Sequence, residues 1–226
     1  MAPARQHPDA AFADRRDAGR RLATALGARP GENSLVVALP RGGVPVGFEV
    51  ARALGTALDV LAVRKLGAPQ NPELAVGAIA EGGVAVLDPR SARRVGVTQE
   101  SLDAIVERET LELRRQADLF RGGRPPLDPS GRHAIVVDDG LATGLTALAA
   151  VRALRASGAA SVTVAVPVGA RESLAMLRGE ADEVVCALTP AALLAVGVWY
   201  RDFAPVADEE VIALLGESAL EPVPRA

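Results

Sequence analysis

The chain has 226 residues, 49% of them hydrophobic and 23% charged, with a net charge of −3; this is ordinary globular composition and enough chain for a full core without disulfides. The mild acidity and scattered arginines exclude a broad nucleic-acid footprint, and the apolar stretch from Ala191 to Tyr200 is far shorter than the roughly 20 residues that span a bilayer. A single cysteine, Cys186, rules out an intrachain disulfide and a zinc cluster, so a cytoplasmic protein without membrane or nucleic-acid partners is expected.

In chain order, the segment from about Ala10 to Leu26 predicts a first helix. Leu35–Leu39 is a continuous apolar run that ends in the turn Pro40-Arg41-Gly42-Gly43. A helix follows over Val44–Leu54, with Pro45 in its first turn, Val46, Val50, Ala53 and Leu54 on one face, and Gly55 as its stop. Leu58–Val63 predicts another buried strand, followed directly by Arg64-Lys65. Leu66–Leu74 contains Gly67, Pro69, Asn71 and Pro72, the composition of a mobile lid. Ala75–Ala80 and Val84–Leu87, joined by Glu81-Gly82-Gly83, predict a hairpin.

Thr98 to Phe120 predicts a long helix with mixed surface charge, and Arg121–Ser130 a Pro/Gly-rich loop. Ala134–Val137 is again apolar and runs into Asp138-Asp139-Gly140. The helix beyond it, ending near Ser157, lines up Leu145, Leu148, Val151 and Leu154. Ser161–Val168 and Val184–Leu188 predict two more core strands, and Asp208-Glu209-Glu210 the charged start of a terminal helix. Apolar runs alternating with helices specify βαβ units, hence an α/β, Rossmann-like parallel sheet covered on both faces.

The chemistry concentrates in Ala134–Thr146. Two adjacent carboxylates, Asp138 and Asp139, stand where a buried strand ends, at the sheet edge where open α/β folds take ligands. The turn Gly140-Leu141-Ala142-Thr143-Gly144-Leu145-Thr146 then opens a helix, whose free N–H groups and dipole suit a phosphate. The acids repel that phosphate, and suit sugar hydroxyls or hydrated Mg²⁺ instead. No Lys follows Gly144, so this is no P-loop, and the turn lacks GxGxxG. At the earlier strand end, Arg41 offers a planar fork to phosphate oxygens, and Gly42 and Gly43 admit close backbone approach.

The Ala134–Thr146 segment resembles the phosphoribosyl pyrophosphate signature of type I phosphoribosyltransferases. The stretches Phe12–Arg20 and Phe203–Val211 are similar to a stand-alone group of that family predicted from sequence, whose acceptor is undefined. The resemblance implies a Mg²⁺-dependent enzyme of nucleotide metabolism that transfers ribose 5-phosphate from phosphoribosyl pyrophosphate to a nitrogenous base and releases pyrophosphate. Asp138 and Asp139 would hold the ribose hydroxyls, and Ala142, Thr143, Gly144, Leu145 and Thr146 the 5′-phosphate. Pro40, Arg41, Gly42 and Gly43 would form the pyrophosphate loop.

The family also implies a catalytic role for Lys65, with Arg64 second, reaching pyrophosphate as in orotate-type members. This loop carries fewer basic residues than theirs. Mg²⁺ would be held mainly by substrate and water, with Asp138 and Asp139 as the side chains on offer. A single domain over 1–226 is expected, with its core at about 30–190 and a small hood from about 1–30 and 191–226 beside the flexible-loop hairpin. Trp199, Tyr200 and Phe203 would lie in that hood, where two roles stay open: one of them stacking on the acceptor ring, or all packing onto the sheet. A homodimer is compatible with the family. The competing expectation is a non-catalytic phosphoribosyl pyrophosphate sensor or regulator, which needs no base pocket.

Overall fold

The computed structural model describes residues 11–27, 33–126 and 128–220. The parts of the expected hood at 1–10, 28–30 and 221–226 lie outside them. Five parallel strands form the main sheet: β1 (Ser34–Ala38), β2 (Ala57–Val60), β6 (His133–Val137), β7 (Ser161–Val168) and β8 (Glu183–Leu188), in the order β2-β1-β6-β7-β8. Between them an antiparallel sheet, β3 (Val63–Ala68), β4 (Asn71–Ala80) and β5 (Ala85–Leu87), is ordered β3-β4-β5. The helices are α1 (Arg15–Leu26), α2 (Gly43–Leu54), α3 (Pro89–Arg94), α4 (Gln99–Arg121), α5 (Leu145–Ala156), α6 (Arg171–Arg178) and α7 (Asp208–Leu220).

The continuous apolar strands are explained by burial on both faces. Alternate residues of β1 go to opposite sides, as the two-residue period of a strand requires. Val36 and Ala38 pack with Phe48 of α2, Leu22 of α1 and Val211, Leu214 and Leu215 of α7. Leu35 and Val37 pack with Leu148, Val151 and Leu154 of α5, and with Val63, Ala78 and Ala80 of the small sheet. The second half of the long helix α4 shares a separate apolar layer with that sheet, Leu113 and Ala117 lying against Leu66, Val76 and Ile79.

Two expectations need correction. The run Leu58–Val63 is not one strand: β2 stops at Val60, and β3 starts a different sheet at Val63. The break is held by long-range backbone bonds, Leu61 N–H to Ala38 O and Glu81 N–H to Ala62 O. Leu66–Leu74 is not an irregular loop: β3 and β4 pair through it as an antiparallel hairpin, with a bulge beside Gly67. Helices α1 and α7 pack in the layer on one sheet face, and Arg15 at the start of α1 joins the chain between β8 and α7 at the strand ends.

Candidate active site

The chain leaves β1 through α2 toward β2, on one side, and leaves β6 through α5 toward β7, on the other. β1 and β6 are hydrogen-bonded neighbours. Their carboxyl ends therefore lie at the switch point of the sheet, where the two turns diverge and leave a crevice. A cleft of about 460 Å³ opens there, between Leu39–Gly42, Asp138–Gly144 and Thr146, with Lys65 from β3 and Arg15 from α1. Val196, Phe203, Pro205 and Val206 complete the wall.

Glycine is required where the two turns touch. A Cβ on Gly42 would fall onto the Asp139 carboxylate, and one on Gly43 would sit 2.6 Å from the Val137 carbonyl. The Pro40–Arg41 peptide is cis. Gly144, at φ 75°, caps α5 without any side-chain hydrogen bond to the first turn, so those N–H groups keep their outward donors. Ala142 and Thr143 are exposed at this helix start, whereas the Leu145 side chain is buried in the core and can offer only its backbone.

Both carboxyls are pushed above the usual carboxylate range. For Asp138 the chief cause is burial, reinforced by the charge of Asp139; Lys65 and Arg15 pull it partly back. Burial also dominates at Asp139, opposed mainly by Arg15. Asp138 Oδ1 accepts from the Asp139 N–H at 2.8 Å, and Asp139 Oδ2 accepts from Arg15 Nε at 2.8 Å. Among the described residues no side-chain donor reaches Asp138 Oδ2 or Asp139 Oδ1, and both carboxyls line the cleft. This donor set fits a vicinal diol or a hard cation.

A sequence profile of the phosphoribosyl transferase domain matches residues 13–198. The chain belongs to this family. Two Mycobacterium tuberculosis proteins, from strains CDC 1551 and H37Rv, each named "Putative phosphoribosyl transferase", are 50% identical over 204 residues. That match covers 90% of this chain and 46% of each relative, so the chain spans about half the length of these curated relatives. The crystal structure of TT1426 from Thermus thermophilus is 46% identical with a TM-score of 0.76, covering 91% of this chain and 98% of that one.

Within this phosphoribosyl transferase domain, most residues singled out in the sequence do converge. Pro40, Arg41, Gly42, Lys65, Asp138, Asp139, Gly140, Ala142, Thr143, Gly144, Thr146 and Phe203 all line the cleft. Four do not. Arg64 and Lys65 alternate across β3, and Arg64 turns to α4, where its Nε donates to Glu109 Oε2 at 2.9 Å. Gly43 starts α2 behind the turn, and Leu145 is in the core. Trp199 packs with Phe12, Val168 and Tyr200 away from the cleft.

Two contacts of Asp139 were not foreseen. Arg15 looks like its neighbours Arg16, Arg20 and Arg21 in the sequence, and only the fold puts it on Asp139. Tyr200, 1% exposed, donates its hydroxyl to the Asp139 carbonyl at 2.6 Å. Its place among three nearby aromatics was the available signal.

Proposed function

We propose that this domain binds phosphoribosyl pyrophosphate in the cleft and transfers its ribose 5-phosphate to a nitrogen nucleophile, releasing pyrophosphate. The observation that carries this reading is the pair of free carboxylate oxygens on Asp138 and Asp139, set at the switch point between a phosphate-ready helix start and the Arg41 turn. The two oxygens match the 2′ and 3′ hydroxyls. The first-turn N–H groups of α5, with the Thr143 and Thr146 hydroxyls, take the 5′-phosphate. Arg41, the Gly42 backbone and Lys65 take the pyrophosphate.

Among the described residues no group of three or more His, Cys, Asp or Glu side chains gathers to hold a metal. Mg²⁺ would therefore be held by ligand oxygens and water, with Asp138 and Asp139 as the protein's contribution. When bound it neutralises charge on the leaving pyrophosphate. The C1–O bond breaks with its electron pair leaving on pyrophosphate, the acceptor nitrogen's lone pair forms the C1–N bond, and the nitrogen's proton passes to water. The chain's residues act by position and charge: Lys65 and Arg41 stabilise the departing oxyanion, and the carboxylates hold the ribose in register. Val196, Phe203, Pro205 and Val206 face the acceptor.

Isothermal titration with phosphoribosyl pyrophosphate, with and without Mg²⁺, tests the reading. Saturable binding that Mg²⁺ strengthens is expected, followed by pyrophosphate release with one member of a base panel. Folded protein that shows no binding in either condition overturns it, and binding without turnover across the panel moves the assignment to a sensor.

A further inference from the structure

Arg15 makes three contacts that no other cleft residue combines. Its Nε donates to Asp139 Oδ2 at 2.8 Å, and its Nη1 donates to the Ala204 carbonyl at 2.8 Å. Its guanidinium carbon lies 3.8 Å from the centre of the Phe203 ring. The side chain is 11% exposed, against 43% for Arg16, the next residue on the same helix. Arg16 turns the other way, to Glu49 of α2.

The segment Arg15 reaches is already joined to the amino-terminal chain. Arg201 N–H and Asp202 N–H donate to the carbonyls of Phe12 and Ala13, and Phe12 N–H donates to the Trp199 carbonyl. Those bonds place the segment beside α1. They do not place it over the cleft, which requires a group that touches both Asp139 and residues 203–204. Arg15 does so from α1 through the Asp139 carboxylate, while Tyr200, inside the segment itself, reaches only the Asp139 backbone carbonyl and stacks near Phe203.

We propose that Arg15 is a positioning residue that couples the sugar-holding carboxylate to the acceptor wall. One edge fixes Asp139 so that Oδ1 faces the cleft, while the second edge and the flat face hold Ala204 and Phe203 above it. This rests on the cleft being the phosphoribosyl pyrophosphate site. The role needs a planar fork with two donors at a fixed angle and a face that stacks. A lysine supplies the charge but neither the fork nor the face.

The test uses Arg15→Lys and Arg15→Ala, with Arg16→Ala as the control on the same helix. Loss of a group that orients a ligating side chain typically weakens binding roughly 10- to 100-fold. We expect Arg15→Lys to lose affinity for phosphoribosyl pyrophosphate in that range and to raise KM for the acceptor, while Arg16→Ala changes neither. Added guanidinium, at concentrations too low to denature, should restore Arg15→Ala, and methylammonium should not. A separate readout, amide hydrogen exchange across residues 199–206, should accelerate in both Arg15 variants and not in the control.

Wild-type protein that fails to bind phosphoribosyl pyrophosphate removes the functional reading, and the exchange measurement still decides whether Arg15 pins this segment. Unchanged exchange in Arg15→Lys overturns the positioning role, as does wild-type affinity and acceptor KM in that variant. If Arg15→Ala does not fold, Arg15→Lys carries both arms.

Discussion

Among the groups of buried charge in the described residues, two are built on opposite plans. At the far end of α4, Arg121 is 8% exposed and is surrounded by partners: Nη1 lies 2.5 Å from Glu81, Nε 3.6 Å from Asp59, and Nη2 donates to the Val60 carbonyl. Burial works against its charge, but the acids around it prevail and the guanidinium is held above its ordinary value. At the cleft the neighbours are two like charges, and burial drives both carboxyls toward neutrality. The first group ties α4 to β2 and to the turn after β4, its cation matched by two acids although Nε itself has no hydrogen-bond partner. The second has acceptors left over, which is the mark of a site shaped for something else to bind.

The sharpest way to break this contrast is to remove both groups and compare. Asp138→Asn with Asp139→Asn should cost more than about a thousandfold in phosphoribosyl pyrophosphate affinity, about 4 kcal/mol, read by titration calorimetry. The same protein should be more stable than wild type by about 1 to 2 kcal/mol in denaturant. A carboxyl whose folded value is raised keeps a proton that the unfolded chain has lost. Its wild-type penalty therefore grows as pH rises from the ordinary carboxylate range to the raised value, and the double variant should flatten that fall.

Arg121→Met should do the reverse. It removes the buried counter-charge of Glu81, a loss of about 3 kcal/mol in folding stability. Ligand affinity should stay at the wild-type value. A destabilised Asn pair together with a neutral Arg121→Met would erase the distinction between the two groups.

The same contrast explains what could be seen from sequence. The Gly42 turn and the Asp138–Thr146 turn were legible because each is a continuous stretch, with strand, turn and helix start next to one another in the chain. The short helix α3 also left a sign, Asp88 capping Arg90 N–H with Pro89 behind it, though it went unread. Arg15 and Tyr200 were not legible in this way. They meet Asp139 across 124 and 61 residues of chain, and neither the arginines around Arg15 nor the aromatics around Tyr200 point to that partner. The split of Leu58–Val63 was hidden for a related reason. Apolar residues suit both sheets equally, and the backbone bonds that separate them come from distant residues.

Gly42→Ala gives a smaller effect and locates it at the seam between the turns. The added methyl meets the Asp139 carboxylate and, at 3.3 Å, Arg15 Nε, so the carboxylate must move. A misplacement of this kind costs up to about a hundredfold, so a loss of roughly tenfold or more in ligand affinity is expected. Gly82→Ala is a useful counterpart, because its added methyl meets nothing within 4 Å and the position is remote from the cleft. Its strain from φ +86° should appear in stability alone.

The smallest expected effect is at Tyr200. Its ring is held between Phe12 and Phe203, with centroids 5.3 and 4.9 Å away, and phenylalanine preserves that packing. Only the hydroxyl is lost, and with it the bond to the Asp139 carbonyl. Leaving that acceptor unpaired costs about 1 kcal/mol, which lowers the melting temperature of a chain this size by about 3 °C. Burial, reinforced by the Asp139 charge, pushes the phenol up, so the hydroxyl stays neutral and the difference from wild type should be flat through mildly alkaline pH. Since the carboxylate keeps Arg15, ligand affinity should fall less than tenfold. A larger loss of affinity with an unchanged melting temperature would instead put the hydroxyl in contact with the ligand, and the acceptor wall would have to be redrawn around it.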